Sequence, residues 1–197
     1  MKSGEIIAAS AVMLILLGIA FALGGKGTYV NYLFTGNTGN QQSAQQSLPP
    51  ATGTSIVGSP SLTAAKIDSI LCGAGSPACG NGSAFYNDSV QYGIDDAYAL
   101  AFFHHESGFG TAGAATQTLN MGNIVCTEGY NCIGRFRAYG SWAEGINDWY
   151  QLIKNVYVGQ GRSTVESIIP MYAPSSDNND CSAYISAVEA DVQSWRS

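Results

Sequence analysis

Charge is what this sequence has least of. Charged residues make up 11% of its 197 positions, 8 Lys+Arg against 14 Asp+Glu, less than half the roughly 25% of an average globular chain. None stands between Lys26 and Lys66, and no run of basic residues occurs anywhere. A net charge of -6 with no basic footprint excludes a nucleic-acid binder, which has to displace counterions from phosphates. Histidine is confined to the adjacent pair His104 and His105, and no CxxC pair is present. The spacings of zincins and structural zinc sites are therefore missing, and neither a metal nor a cofactor is expected. No internal repeat is found. The acids that do occur are concentrated, since 13 of the 14 lie beyond Ser61 together with 6 of the 8 bases.

What is there begins with one apolar run, Ile6 to Leu23, 18 residues without a charge. That length lies between a signal-peptide core and a membrane span. Ala20-Phe21-Ala22 has the small-x-small pattern of a cleavage site, whereas Tyr29, Tyr32 and Phe34 suit the interfacial belt of an uncleaved anchor. A buried core helix is the third reading, with nothing following at once for it to pack against. Residues 1–25 are thus expected to be a signal peptide or a transmembrane anchor, which makes the membrane a partner through the N-terminus and the rest extracytoplasmic, either anchored or secreted. Residues 26–60, rich in Gly, Ser, Gln and Pro, read as a flexible linker with too little apolar surface to offset its ordering entropy. Five cysteines suit an oxidising compartment. Cys72 and Cys79 bracket the turn-forming GAGSPA, Cys126 and Cys132 bracket TEGYN, and Cys181 is left over.

From position 61 on the chain is expected to be mostly α with a small β-hairpin lobe. Leu62 to Leu71 has helical spacing behind Ser61 as a cap, and Ala84 to Tyr92 follows Ser83 and stops at Gly93. AYALAFFHHES, behind Asp95 or Asp96, is apolar on every face and should be the central buried helix. Ile124-Val125-Cys126 and Cys132 to Phe136 flank a turn-rich centre and read as a two-stranded hairpin. Trp142 to Val156, Thr164 to Met171 and Ser182 to Trp195 complete the helices, behind Ser141 for the first and Asp180 for the last.

Glu106 carries the strongest chemical signal. It ends the central helix beside Gly108, Gly110 and Gly113, where partial burial and the negative end of the helix dipole both disfavour its charged form. A carboxyl kept protonated is what a general acid needs. The same position also suits a solvated helix-end carboxylate, or one paired with Arg135 or Arg137. Of the two histidines, one is expected behind Glu106 and the other partly exposed.

The run FFHHESGFGTAGAATQTLNMGNI resembles the catalytic segment of bacterial glucosaminidases, peptidoglycan hydrolases of the lysozyme-like superfamily that include flagellar muramidase-type enzymes. In that family a helix ends in Glu-Ser-x-aromatic-Gly, followed by a Gly/Ala/Thr loop and an Asn-x-x-Asn-Ile/Leu element. FRAYGSWAEGINDWYQLI is similar to the family's Phe-Arg-x-Tyr-x-Ser segment, and IIPMYAPSSDNNDCSAYISAV to its closing turn and last helix. The likeness spans residues 61 to 196 and implies a lysozyme-like α+β domain over 61–197. It departs from the family at Val125-Cys126, where Phe-Gly is common.

Carried over by position, the resemblance makes Glu106 the general acid. Glu128 is the only acid of the hairpin lobe and so the candidate second carboxylate, either as base or charge stabiliser or as an ordinary exposed turn residue; an acetamido sugar that assists its own cleavage would make it dispensable. Tyr139 is implied at the cleft, with a core aromatic as the alternative. Asn120 and Asn123 suit acetamido or hydroxyl groups as well as they suit turns, and Tyr172 suits stacking on a sugar face. The expected partner is peptidoglycan or a related N-acetylhexosamine glycan, and the expected activity is hydrolysis of β-1,4 bonds between N-acetylglucosamine and N-acetylmuramic acid. A lytic transglycosylase and a non-catalytic wall-binding or surface module are the alternatives.

Overall fold

The structure is a computed structural model and describes residues 53–197. The expected signal peptide or anchor and most of the expected linker lie outside the described residues. Among those described, no helix is long and apolar enough to cross a membrane.

The all-apolar segment becomes the axis of the domain. Helix α3, Asp96–Ser107, is buried along its whole first two turns. Asp95 starts it by accepting from the Ala97 N–H, and Gly108, in the left-handed region, ends it. Around it pack α1 (Ala64–Gly73), α2 (Gly82–Tyr92), the single turn α4 (Ala115–Thr118), α5 (Trp142–Leu152), α6 (Val165–Tyr172) and α7 (Cys181–Arg196). α7 and α2 lie directly against α3, α5 against α2, and α6 against α7. The core is aromatic at its centre, where Phe102 and Phe103 each meet the Trp149 ring at 5.3 Å and Phe103 meets Phe85 at 5.5 Å. Edge and tilted contacts of this kind suit the ring quadrupoles. α5 continues into a π turn, Ile153–Tyr157, and a short 3-10 turn that ends at Gly161.

The fold class is the expected one, mostly α with a small antiparallel hairpin, and several details move, among them the start of α2, which lies at Gly82 behind Asn81 and not at Ala84 behind Ser83. Helix α1 is capped by Thr63, not Ser61; the Ser61 and Leu62 N–H groups instead donate to Asp96 at 3.0 Å, fastening this entry segment to α3. The domain also begins earlier than position 61. Ser55 bridges to Thr164 and Val57 to Ile94, and Ile56 is fully buried, so the last residues assigned to the linker belong to the domain. Backbone hydrogen bonds from the Ile56 N–H to Ser163 and from the Asp95 N–H to the Ile56 carbonyl, both 2.9 Å, hold the segment there around its buried side chain.

The hairpin is re-registered as well. β1 (Cys132–Ile133) pairs with β2 (Phe136–Arg137) around a turn at Gly134-Arg135, with Gly134 at φ +59. The first expected strand joins through the single bridge Val125 to Phe136, flanked by Cys126 N–H to Arg135 O at 2.8 Å and Arg137 N–H to Ile124 O at 2.9 Å. The TEGYN segment is then a disulfide-closed loop on the lobe. Cys126–Cys132 and Cys72–Cys79 are both formed, and Cys181 is free and half-buried.

Candidate active site

Glu106 occupies the last turn of α3, and the residues after it are shaped to hold it at a surface. Ser107 is buried and donates to the Met121 carbonyl at 2.8 Å while accepting from the Gly110 N–H at 2.9 Å, which folds the glycine loop back under the helix end. Gly110 has φ +82, and a Cβ there would stand 2.7 Å from the Trp142 ring, so both backbone and space demand glycine. Gly122 is as restricted, since a Cβ would stand 2.7 Å from Trp149 and 2.8 Å from the Tyr172 hydroxyl. The next residue but one from Met121, Asn123, takes φ +50, a conformation asparagine tolerates.

These turns bring two polar groups onto Glu106. Asn123 Nδ2 donates to the Glu106 carbonyl at 2.8 Å and to its Oε2 at 3.2 Å. Tyr184 of α7 donates its hydroxyl to Oε1 at 2.8 Å. Neither Arg135 nor Arg137 pairs with Glu106; they are held by Asp177 and Asp148 instead. Burial pushes the Glu106 carboxyl above its ordinary range, and the hydrogen bonds from Tyr184 and Asn123 pull it part of the way back. The carboxyl lines a cleft of about 220 Å³ together with Val125, Phe136, Tyr172 and Asn179. An adjoining cleft of about 270 Å³ shares Asn123, Val125 and Tyr172 with it and runs on to Leu152 and Met171. The two form a groove between the hairpin lobe and α6.

The candidate residues separate on this geometry. Glu106, Asn123 and Tyr172 come together on the groove. Tyr172 is fixed there by its hydroxyl, which donates to the Gly122 carbonyl, and by an edge contact with Phe102 at 5.4 Å. Asn120 does not reach it, being 1% exposed, with its amide spent on the Ile124 and Arg137 carbonyls and the Ile124 N–H. Its role is to join the lobe to the turn that follows α4. Tyr139 lies on a different cleft, its hydroxyl on Asp148 at 2.6 Å. Glu128 sits exposed on the disulfide loop and lines none of the clefts described. The other acid on the Glu106 cleft is Asp177, 3.8 Å from Arg135.

Both histidines are exposed, so neither stands behind Glu106. His104 pairs with Asp191 at 2.6 Å, and His105 stacks on the Tyr184 ring at 3.7 Å. Tyr184 is the site residue that sequence reasoning missed. Its spacing with Val188 and Val192 marks the buried stripe of α7, and nothing local reveals that its hydroxyl ends on a carboxyl 78 residues away.

The hydroxyl favours the ionised form of Glu106, so its loss has a signed consequence. In Tyr184→Phe the Glu106 pKa rises further, and for a carboxyl that serves as proton donor the alkaline limb of the rate moves to higher pH with it. The plateau rate falls by about tenfold, the worth of one charged hydrogen bond of ~1.5 kcal/mol. A pH–rate profile against the wild type checks both, and an unshifted or acid-shifted alkaline limb would contradict this assignment.

A family model described as glucosaminidase, mannosyl-glycoprotein endo-beta-N-acetylglucosaminidase, matches residues 82–195. That span begins with α2 and closes within α7, so it contains the helix end, the hairpin lobe and the groove. No curated protein matches the chain.

Proposed function

From membership of the glucosaminidase family, to which this chain belongs, we infer an exported glycosidase that cleaves the β-1,4-linked N-acetylglucosamine and N-acetylmuramic acid glycan of peptidoglycan. The observation that carries the reading is Glu106, a carboxyl raised above its ordinary range by burial and held in a groove by Tyr184 and Asn123. Protonated, it gives its proton to the glycosidic oxygen as the bond to the anomeric carbon breaks. Ionised by that step, it is the base that takes a proton from the incoming water, whose oxygen completes the new hydroxyl.

The positive charge that develops on the sugar needs a partner. Glu128 is exposed and lines neither cleft of the groove, and Asp177 already faces Arg135. This favours the acetamido group of the substrate itself as internal nucleophile, a route that needs one protein carboxyl. It also fits the name of the matched family, whose substrates carry an N-acetylglucosaminyl bond. Tyr172 and the apolar Val125 and Met171 along the groove supply faces for sugar rings.

Mass spectrometry of purified peptidoglycan after digestion tests the proposal. New N-acetylglucosamine reducing ends are the expected product. N-acetylmuramic acid reducing ends would change the bond assigned, anhydro ends would make the enzyme a transglycosylase, and an undigested wall that nevertheless binds the protein would replace catalysis with display.

A further inference from the structure

A second cleft among the described residues is larger than the one that holds Glu106. It has a volume of about 690 Å³ and lies between α2, α5 and the Gly129–Asn131 side of the disulfide loop. It shares no lining residue with the Glu106 cleft, and a wall separates it from the groove, built from Arg137 donating to Asp148 at 2.8 Å and to Thr127 at 3.0 Å.

The lining of this cleft is unbalanced in charge. Asp88, Glu144 and Asp148 all face it, and no lysine or arginine does. Asp148 is neutralised by Arg137 and uses a single oxygen, Oδ2, for both Arg137 and Tyr139. Asp88 is different. It is 9% exposed, and its one hydrogen bond is from the neutral amide of Asn147 at 2.9 Å; among the described residues no cation pairs with it. Burial pushes its carboxyl above the ordinary range, and the hydrogen bond from Asn147 pulls it part of the way back. Glu144 stands one helical turn before Asp148 on α5, so the two carboxylates share a face. The rest of the lining is the amide side chains of Asn87, Asn131, Asn147 and Gln151, the rings of Tyr130 and Tyr139, and small alanine and glycine positions.

We propose that this cleft is a second ligand site, one that takes a primary ammonium group carried on a hydrogen-bonding framework, with Asp88 and Glu144 as its acceptors. An ammonium offers a compact charge with three donors, which suits carboxylates presented from two helices, and the absence of a protein cation leaves the counter-charge to the ligand. The volume far exceeds an ammonium, so the framework that bears it occupies the cleft along the amides and tyrosines. Two sources share this chemistry, a sugar with a free 2-amino group and a peptide with a free side-chain amine. The site stands apart from bond cleavage and does not depend on the function proposed for Glu106.

Calorimetric titration of the full chain carrying Glu106→Gln, so that no probe is turned over, tests it. The probes are the glucosamine tetramer, its fully N-acetylated counterpart, a lysyl-alanyl-alanine peptide with a blocked N-terminus, and the same peptide acetylated at the lysine side chain. At least one amine probe is expected to bind, and the one that does identifies the source. Its affinity should fall by about tenfold or more in Asp88→Asn and in Glu144→Gln, the loss expected for one charge-assisted contact. Asp88→Asn keeps an acceptor for Asn147, and Glu144 is exposed, so circular dichroism should show both variants folded. The proposal is overturned if no amine probe binds, if both variants bind the amine as the parent does, or if the acetylated partner loses as much affinity in the variants as the amine.

Discussion

Glu106→Gln is expected to lower the rate of glycan cleavage on the order of 10³-fold, the range carried by a positioned general acid, while leaving the protein no less stable. The two halves of this result have one cause. Burial raises the Glu106 pKa in the folded state, so the folded protein holds that proton more tightly than the unfolded chain does. Below the ordinary carboxylate range both states are protonated and the group costs nothing. As pH rises through the raised pKa, the folded protein must ionise a buried carboxyl, and this contribution to stability is lost. Glutamine removes the ionisation, so melts of variant and parent should coincide at acidic pH and separate in the variant's favour at neutral and alkaline pH. Reducing-end release and thermal melts at both pH values check it. Full activity in the variant removes Glu106 from the chemistry, and a variant less stable at alkaline pH would mean that its hydrogen bonds outweigh its burial.

The second large effect is structural. Arg137→Ala should destabilise the domain by about 3–5 kcal/mol, because it strands Asp148 as a buried charge. The pair is nearly enclosed, with side chains 9% and 12% exposed, and Arg137 also covers the Tyr130 ring at 3.6 Å. It is the pin that holds the hairpin lobe on α5, so the loss should appear both in denaturant midpoint and in activity, since the lobe forms one wall of the groove. Arg135→Ala is the control. Its pair with Asp177 is 3.8 Å long with both side chains more than half exposed, and such pairs contribute about 0–1 kcal/mol. Adding Asp148→Asn to Arg137→Ala should recover part of the loss by discharging the stranded group. Equal effects at the two arginines would show that the buried pair does not fasten the lobe.

The sequence made the helices and the acid legible for the same reason, which is that both are local. Asp95, Ser141, Thr164 and Asp180 all cap the helices they precede, and Glu106 stands out because one polar group ends an apolar helix beside three glycines. The pairings of the lobe were harder to read. Val125 to Phe136 was within reach of a hairpin reading, but a turn at Gly134-Arg135 competes with one at TEGYN, and burial of Arg137 decides between them. Asn120 and Asn123 are indistinguishable in sequence, three residues apart in the same turn. Only the packing of the lobe shows that one amide is consumed by backbone and the other reaches the acid. Tyr184 and the cleft at Asp88 were invisible for a further reason, that each joins helices distant in sequence through side chains whose local pattern is merely amphipathic.

The short bridges at the start of the described residues also lay residues 54–61 along the last helix. Thr54 donates to Glu189 of α7 at 2.6 Å, and Ser61 accepts from Arg196 near that helix's end at 2.9 Å. Within the described residues the entry segment and the last helix therefore meet in a seam along α7. In a chain shortened to residues 53–197, a short peptide from residue 197 to residue 53 would bridge that seam. New ends opened at the exposed Gly129 on the disulfide loop would place a fusion partner beside the ammonium cleft, where its occupancy could be read by proximity without touching Glu106.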